Sequence, residues 1–374
     1  MKQHFQVATL ILAAALAAAA QTSNSRVYRS GNEWVQEING TLPAAKMIRV
    51  KTSGGSIHVQ GVQQNTINYT VRERVRAGSE EAARREFSNM KFTVSNSADT
   101  ALLRAECEGY RHGSIDFDVQ APAQTSMIRM ETEGGSVAAQ NISGKVAANT
   151  GGGSIHVDAI GDAVYAESGG GTIDIGKVGG AVHVETGGGN IRIASAGGEV
   201  VASSGGGTLM IGSGKTMKLE TGGGSIQVVK CDGEMSAETG GGSIDLGEIG
   251  GPAKVETGGG SIHVGPISGG VRAETGSGPI IATLAPGGGF TNSTLETAAG
   301  DITVYVPAGL KVTIRAAVEV GRGDGIRTDF PELKITKSSE TYGPREMFAE
   351  GSLNGGGPLL RVHTTTGTIE FKRK

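Results

Sequence analysis

Apolar and polar residues alternate in two short segments that recur along most of the chain. A glycine-rich turn lies between the segments, and it is ETGGGSI at 220–226, 238–244 and 256–262. Aligned on the last glycine, the copies fall at Gly135, Gly153, Gly171, Gly189, Gly207, Gly224, Gly242, Gly260 and Gly278, with a modified copy at Gly300. Up to Gly278 every step is 18 residues except one of 17. Such regularity predicts a repeat architecture.

Each repeat contains a strand on either side of its glycines. The residues two and four places after the last glycine are apolar, as at Ile155 and Val157, and the residue between them varies freely. Seven and five places before it the same alternation occurs, as at Val164 and Ala166. This period of two predicts strands with one buried face. A Ser or Thr three places before the last glycine predicts a hydroxyl ladder at the corner.

One 18-residue unit cannot bury its own apolar face, whereas stacked units can. We therefore predict an all-β fold, a single-stranded β-solenoid (a β-helix or roll) of about ten 18-residue coils whose equivalent strands pair. The corner glycines are expected to reach positive φ and to let successive turns approach closely. Propeller blades need about 40 or more residues per unit, so the period excludes them.

The segments outside the array predict caps on the solenoid. MIRVKTSGGSIHVQGV at 47–62 and LLRVHTTTGTIEF at 359–371 match the repeat, but other residues separate both from the array. We expect a strand at 65–77, a short helix with a Ser N-cap at 79–87, and a β-hairpin at 91–109. Atypical ends of this kind protect the strand edges of terminal coils.

The N-terminus predicts export. Phe5 to Ala20 is an apolar stretch that follows Lys2 and ends in three alanines, so we expect signal-peptide cleavage between Ala20 and Gln21. An N-terminal membrane anchor is the alternative, although the stretch is short for a spanning helix. No later apolar segment approaches 18 residues. The mature chain is thus expected to lack a transmembrane segment and to be extracytoplasmic, whether periplasmic, on the cell surface or secreted.

These features divide the chain into four predicted parts. They are a signal peptide (1–20), a β-rich N-terminal cap with one short helix (21–126), the 18-residue repeat β-solenoid (127–300) and a β C-terminal cap (301–374).

The repeating T-x-x-G-x-I-x-V unit resembles that of the bacterial putative-adhesin family, domain-of-unknown-function proteins with tandem β-strand repeats. Val306-Pro307, LNGGG at 353–357 and the closing TTTGTIEF also match, and the resemblance covers about residues 45–374. It implies an extracytoplasmic repeat protein with an adhesin label, and it supplies no catalytic residues.

Composition narrows the function. Glycine supplies 63 of 374 residues without a Gly-X-Y period, which excludes collagen, and the net charge of −3 gives no reason to expect nucleic acid. A phosphate loop occurs once, between a strand and a helix, whereas these glycines recur with no helix after them. GSGKT at 212–216 is therefore interpreted as a shortened turn, and Arg-Gly-Asp at 322–324 as a chance tripeptide.

Glutamates recur four residues before the last glycine. The column consists of Glu131, Glu167, Glu185, Glu220, Glu238, Glu256 and Glu274, with Asn149 and Ser203 as interruptions. Like charges about 5 Å apart in water repel by on the order of 1 kcal/mol per pair. Nearby outward positions hold Lys218, Lys254 and Arg272, which offset part of this repulsion. One hypothesis is a ridge that binds a partner, or weakly Ca²⁺, formed by Glu220, Glu238, Glu256 and Glu274. The alternative is a solvated face that prevents aggregation.

Other chemistry-bearing residues favour structural roles. Four outward histidines occupy separate coils, so neither a metal site nor a cofactor is predicted; they are His58, His156, His183 and His263. Cys107 and Cys231 are interpreted as small buried hydrophobes, with a disulfide between them as the alternative. Tyr165 stands nearly alone as an outward aromatic residue, which disfavours sugar binding. Asp245 and Glu248 could act as glycosidase carboxylates, but short turns provide no groove wall.

We therefore expect a secreted, non-enzymatic, adhesin-like protein that binds a surface or envelope component, or a structural protein of the envelope. Its partner would be an unknown envelope component, a polysaccharide or a protein. Two alternatives stay open: a carbohydrate-active β-helix enzyme, and an envelope stress-associated spacer. A cleft lined by paired carboxylates would favour the enzyme, and a featureless rod would favour the spacer.

Overall fold

A computed structural model of the chain describes residues 23–97, 99–107, 113–287, 289–321, 325–338 and 345–374. The expected signal peptide and the Arg-Gly-Asp tripeptide at 322–324 lie outside these residues. The described part forms 34 strands and one short helix, and the strands make two sheets. No helix in it combines the length and the apolar character that crossing a bilayer requires.

The elements, in chain order, are β1 (Ser23–Ser30), β2 (Glu33–Pro43), β3 (Met47–Thr52), β4 (Ile57–Val62), β5 (Thr66–Val75), α1 (Glu80–Phe87), β6 (Met90–Asn96), β7 (Thr100–Cys107), β8 (Gly113–Pro122), β9 (Met127–Thr132), β10 (Val137–Ile142), β11 (Lys145–Thr150), β12 (Ile155–Ile160), β13 (Val164–Ser168), β14 (Ile173–Val178), β15 (Val182–Thr186), β16 (Ile191–Ala196), β17 (Val200–Ser204), β18 (Leu209–Gly214), β19 (Met217–Thr221), β20 (Ile226–Cys231), β21 (Met235–Thr239), β22 (Ile244–Ile249), β23 (Ala253–Thr257), β24 (Ile262–Ile267), β25 (Val271–Ser277), β26 (Ile280–Leu284), β27 (Ser293–Ala299), β28 (Ile302–Val306), β29 (Val312–Gly321), β30 (Ile326–Thr328), β31 (Lys334–Lys337), β32 (Arg345–Leu353), β33 (Leu359–Thr366) and β34 (Ile369–Arg373).

Strands of successive coils pair in parallel, one repeat apart. In the first sheet, which takes the even-numbered strands from β10 to β28, Ile155 lies beside Ile173. In the second sheet, which takes the odd-numbered strands from β9 to β27, Val164 lies beside Val182. Each coil therefore contributes one strand to each sheet. The predicted β-solenoid is confirmed, and neighbouring coils stack at about 4.8 Å, the usual strand spacing.

The apolar columns face each other between the two sheets. Ile155 and Val157 of the first sheet are fully buried, as are Val164 and Ala166 of the second. One cluster of buried apolar side chains continues along the whole stack, from Leu42 to Phe371. Because no coil can bury this surface alone, the hydrophobic effect stabilises the stack and not the individual repeat.

The glycine corners hold successive coils close together. A Cβ added to Gly171 would lie only 2.0 Å from the carbonyl oxygen of Gly153 in the preceding coil. Within the described residues, only Gly55, Gly278 and Gly367 of this column have positive φ. The expected positive φ is therefore wrong for most copies. Close approach of backbone to backbone is what requires glycine there.

The Ser and Thr residues of the corners are buried and bridge the coils. The Thr150 hydroxyl donates to the carbonyl oxygen of Gly135 at 2.8 Å and accepts from the Gly153 N–H at 3.1 Å. Ser168 repeats the first contact with Gly153 at 2.8 Å. The predicted ladder exists, but it runs from hydroxyl to carbonyl and not from hydroxyl to hydroxyl.

At the N-terminal end, the chain does not stack its coils in sequence order. β3 and β4 pair in parallel with β9 and β10, so the copy at 47–62 lies directly on the array. On their other side, β7 and β8 pair in parallel with β3 and β4. β5, β2 and β1 then extend the first sheet in antiparallel fashion. The residues between β4 and β9 thus form a cap. This cap lies beyond the coil of β3 and β4, which precedes it in the sequence.

Two local predictions for this cap are confirmed. The helix α1 has Ser79 as its N-cap, and the Ser79 hydroxyl accepts a hydrogen bond from the Ala82 N–H at 3.2 Å. The hairpin is formed by β6 and β7, which pair in antiparallel fashion.

At the C-terminal end, too, a separate copy of the repeat pairs with the last coils of the array. β33 and β34, the copy at 359–371, pair in parallel with β27 and β28. β29 pairs on the far side of β33, and β32 and β31 follow in antiparallel fashion. The boundaries at 126/127 and 300/301 stay a prediction, since one hydrophobic cluster continues across both.

Candidate functional site

The outward face of the second sheet carries two parallel rows of side chains. One row contains the residues six places before the last glycine of each copy, such as Tyr165 and His183, which lie side by side. The other row contains the residues four places before it, such as Glu167 and Glu185. Both rows run along the stacking direction. Because their residues are two positions apart on each strand, the rows are separated by about 7 Å along the strand.

Five glutamates of the second row stand side by side on consecutive coils. They are Glu220, Glu238, Glu256, Glu274 and Glu296, and we call them the acidic row. The last four, together with His363 of strand β33, line a shallow groove of about 590 Å³. The structure thus places the predicted glutamates in one continuous line.

Basic residues of the first row compensate only part of this charge. Lys218 Nζ lies 2.9 Å from Glu220 Oε1, Lys254 Nζ lies 3.0 Å from Glu256 Oε1, and Arg272 Nη2 lies 2.5 Å from Glu274 Oε1. The hydrogen bond to Glu220 raises the pKa of Lys218 above its ordinary value. In the described part of the chain, Glu238 and Glu296 belong to no ion pair. They leave net negative charge at the second position and at one end of the row.

The sequence pattern did not identify two of the residues that line the groove. Glu296 stands four residues before Gly300, so the rule that identified the other glutamates also applies to it. His363 stands four residues before Gly367 and pairs in register with Glu296. The 22-residue step and the inserted strands before β33 hid both positions, although the alignment on the last glycine could have found them.

The histidines of the first sheet pair with aspartates of neighbouring coils. Nδ1 of His263 lies 3.0 Å from Asp245 Oδ1, and that of His156 lies 3.5 Å from Asp174 Oδ2. His58 and Asp118 make a similar pair at 3.5 Å. Over the described ranges, no group of three or more His, Cys, Asp or Glu side chains is arranged to hold a metal ion. Weak Ca²⁺ binding along the acidic row stays a hypothesis.

A second depression, of about 560 Å³, lies on the same face toward the N-terminal end. At its centre the rings of Tyr165 and His183 stack with centroids 5.3 Å apart and planes inclined by 14°. The first row continues beyond them with Ala147 and Val201. Tyr165 therefore does not stand alone, and adding one 18-residue period to position 165 gives position 183.

The remaining candidates lie apart from these depressions. Asp245 and Glu248 are exposed, and they pair with His263 and with Lys230, respectively. Cys231 is free and buried, and burial raises the pKa of its thiol, which disfavours the reactive thiolate. GSGKT at 212–216 covers the end of β18 and the turn before β19, and no helix follows it.

The solved structures that resemble this chain include three bacterial putative adhesins. One is a putative cell adhesion protein from Clostridium sporogenes, at 10% identity and a TM-score of 0.21, over 95% of this chain and 100% of that one. A putative adhesin from Bacteroides fragilis has 11% identity and a TM-score of 0.28, over 95% and 98%. A putative adhesin from Parabacteroides distasonis has 12% identity and a TM-score of 0.34, over 72% and 95%.

These names agree with the family resemblance seen in the repeats. The low identities and TM-scores assign neither a ligand nor an activity to this chain. No protein-family model matches the chain, and no curated protein sequence matches it.

Proposed function

We propose that this chain is a non-enzymatic, extracytoplasmic binding protein of the adhesin type. Its solenoid would present the acidic row to a positively charged surface of an envelope component or a partner protein. The observation that carries the proposal is the alignment of five glutamates on consecutive coils, two of which belong to no ion pair in the described structure.

The electrostatic repulsion within the acidic row indicates that its glutamates serve a function other than stability. Like charges on neighbouring coils destabilise the stack, and neutral side chains occupy the same column at Asn149 and Ser203. The fold therefore does not need a glutamate at each position. A line of carboxylates in a shallow groove concentrates negative potential and attracts cationic partners.

The scaffold suits such a role. Along the array, each inner strand pairs with a strand on both sides, so its backbone groups are occupied and outward side chains define the surface. Asp245 and Glu248, the carboxylates considered for glycoside hydrolysis, lie on an open face and make ion pairs with His263 and Lys230. This arrangement favours binding over hydrolysis.

The test measures binding of labelled protein, residues 21–374, to whole cells and to isolated envelope fractions. A variant removes four charges of the groove through Glu238→Gln, Glu256→Gln, Glu274→Gln and Glu296→Gln. The matched control removes four exposed charges elsewhere on the array through Asp232→Asn, Glu234→Gln, Asp245→Asn and Glu248→Gln.

We expect saturable binding that weakens at high salt, is lost in the groove variant and persists in the control. Equal binding by the groove variant and the wild type would remove the acidic row from the proposal. If no cell or envelope fraction binds the wild-type chain, the adhesin proposal is wrong. That result would favour the alternative of an envelope spacer.

A further inference from the structure

The interruptions of the glutamate column flank the aromatic pair. Four consecutive coils carry Ala147 with Asn149, Tyr165 with Glu167, His183 with Glu185, and Val201 with Ser203. The two central coils thus combine a ring with a carboxylate. The two outer coils combine a small apolar side chain with a neutral polar one. The same four coils line the second depression, so side-chain size and polarity change together there.

Each ring of the stacked pair has one face that the other ring does not cover. Rings lying flat and edge to edge would be farther apart than 5.3 Å, so Tyr165 and His183 stack along the solenoid axis. The free face of Tyr165 is directed toward the coil of Ala147, and that of His183 toward the coil of Val201. Because Ala147 is short, space remains beside Tyr165, whereas Oε2 of Glu199 lies 3.9 Å from Nε2 of His183. Tyr165 is 46% exposed, which is unusual for so large a side chain.

Hydrogen-bonding groups line the depression beside the rings. The Asn149 Nδ2 group donates to Glu167 Oε2 at 2.9 Å, which orients both side chains. Glu185 is exposed and has no hydrogen-bond partner in the described structure, so its oxygens are available to hydroxyl donors. Ser203 adds a hydroxyl on the next coil. An apolar row and a polar row thus run side by side along the axis.

A saccharide chain matches this pattern. A sugar ring has apolar C–H faces that pack on aromatic rings, and hydroxyls at its edge that bond carboxylates and amides. Binding sites of small molecules generally combine an apolar surface with a few oriented polar groups. A peptide that adds as a strand needs a free sheet edge, and β13 and β15 are paired on both sides. A cation is disfavoured because Arg129 lies at one end and two of the four polar positions are neutral.

We propose that the depression around Tyr165 and His183 binds a saccharide, with the free ring faces as platforms for sugar rings and Asn149, Glu167 and Glu185 as hydrogen-bonding partners. This site is separate from the acidic row. It deepens the proposed binding function by naming a ligand class, and it can hold even if the acidic row binds nothing.

The test is calorimetric titration of residues 21–374 with cello-, malto- and chito-oligosaccharides, and with choline as a cationic probe. Tyr165→Ala removes the platform, and Tyr165→Phe keeps the ring but removes its hydroxyl. Val229→Ala is the control, since Val229 is an apolar side chain that is 70% exposed on the first sheet. Thermal unfolding of each variant verifies that the fold is intact.

We expect at least one oligosaccharide series to bind, with affinity rising with chain length. Loss of an aromatic stacking partner should weaken this binding by about tenfold in Tyr165→Ala. Tyr165→Phe, Val229→Ala and the four-charge groove variant should bind as the wild type does. This last result separates the saccharide site from the acidic row. The proposal is overturned if no oligosaccharide binds, if Tyr165→Ala binds as tightly as the wild type, or if only choline binds.

Discussion

The hydroxyl of Thr186 donates a hydrogen bond to the carbonyl oxygen of Gly171 in the preceding coil, at a distance of 2.8 Å. The same hydroxyl accepts a hydrogen bond from the Gly189 N–H in its own corner at 3.3 Å. One buried side chain therefore connects two coils and also fixes the turn that follows it. The corner residue is as much a part of the stacking interaction as the apolar columns are.

Replacing Thr186 by Val should therefore destabilise the solenoid. The substitution keeps the shape of the side chain but leaves two backbone groups without their partner, at a cost of about 1–2 kcal/mol. Thr186→Ser is the matched control, because Ser168 and Ser204 fill the same position in the two adjacent coils. Urea unfolding monitored by circular dichroism measures both. Equal stability of the Val variant and the wild type would show that the bridge contributes nothing.

Glycine should be required at the last corner position but not at the middle one. A Cβ at Gly171 would overlap the carbonyl oxygen of Gly153, whereas a Cβ at Gly170 would meet nothing within 4 Å. We expect Gly171→Ala to destabilise the chain by about 1–3 kcal/mol through overpacking. Gly170→Ala should change stability by less than about 0.5 kcal/mol. Thermal unfolding of the two variants, which differ only in position, checks the contrast.

Natural copies of the corner agree with this expectation. Ser277, Ala299 and Thr366 occupy the middle position in three copies, and the last position is glycine throughout. If both alanine variants unfold at the same temperature, close backbone approach does not explain the glycine column.

Removing one charge from the acidic row should stabilise the fold. Glu238 lies between Glu220 and Glu256 and has no ion pair in the described structure, so Glu238→Gln relieves repulsion with both neighbours. The expected gain is up to about 1 kcal/mol at low ionic strength, and it should vanish at high salt. Unfolding at two salt concentrations measures it. A variant less stable than the wild type at low salt would mean that the carboxylate has a stabilising contact.

Acid should weaken the N-terminal cap through Glu37. Burial disfavours the charged form of this carboxylate, whose side chain is 7% exposed, but hydrogen bonds from Asn39, Arg72 and Arg26 outweigh burial. They hold the pKa of Glu37 below its ordinary value of 4.5. A lowered folded-state pKa stabilises the fold above the ordinary value, and this contribution disappears as the pH falls through the folded-state value.

The free energy of unfolding should therefore decrease between about pH 5 and pH 2, and Glu37→Gln should show a smaller decrease over the same range. Urea unfolding at several pH values measures both slopes. The same slope in the wild type and in Glu37→Gln would contradict the assignment.

The local periodicity of the sequence predicted the fold more completely than it predicted the residues of the candidate binding surface. The alternation at Ile155 and Val157 identified a strand and its buried face, because side chains on a strand point alternately to opposite sides. The same period also contained the pairing of Tyr165 with His183. That pair is not evident from either position alone, because it depends on the two residues being neighbours in one column. Glu296 was missed because an insertion altered the step of the repeat.

The sequence by itself determined the solenoid, the two strands of each coil and the buried columns, because an 18-residue period with alternating polarity has few other packed solutions. Only the tertiary structure decided which coils are neighbours at the ends, where β4 pairs with β10 and β28 with β34 across long insertions. Such contacts leave no local pattern, because they depend on which open strand edge the chain returns to cover. His363 lies beside Glu296 at the end of the acidic row only because strand β33 returns to the array, and its Nε2 lies 3.1 Å from Glu319 Oε1.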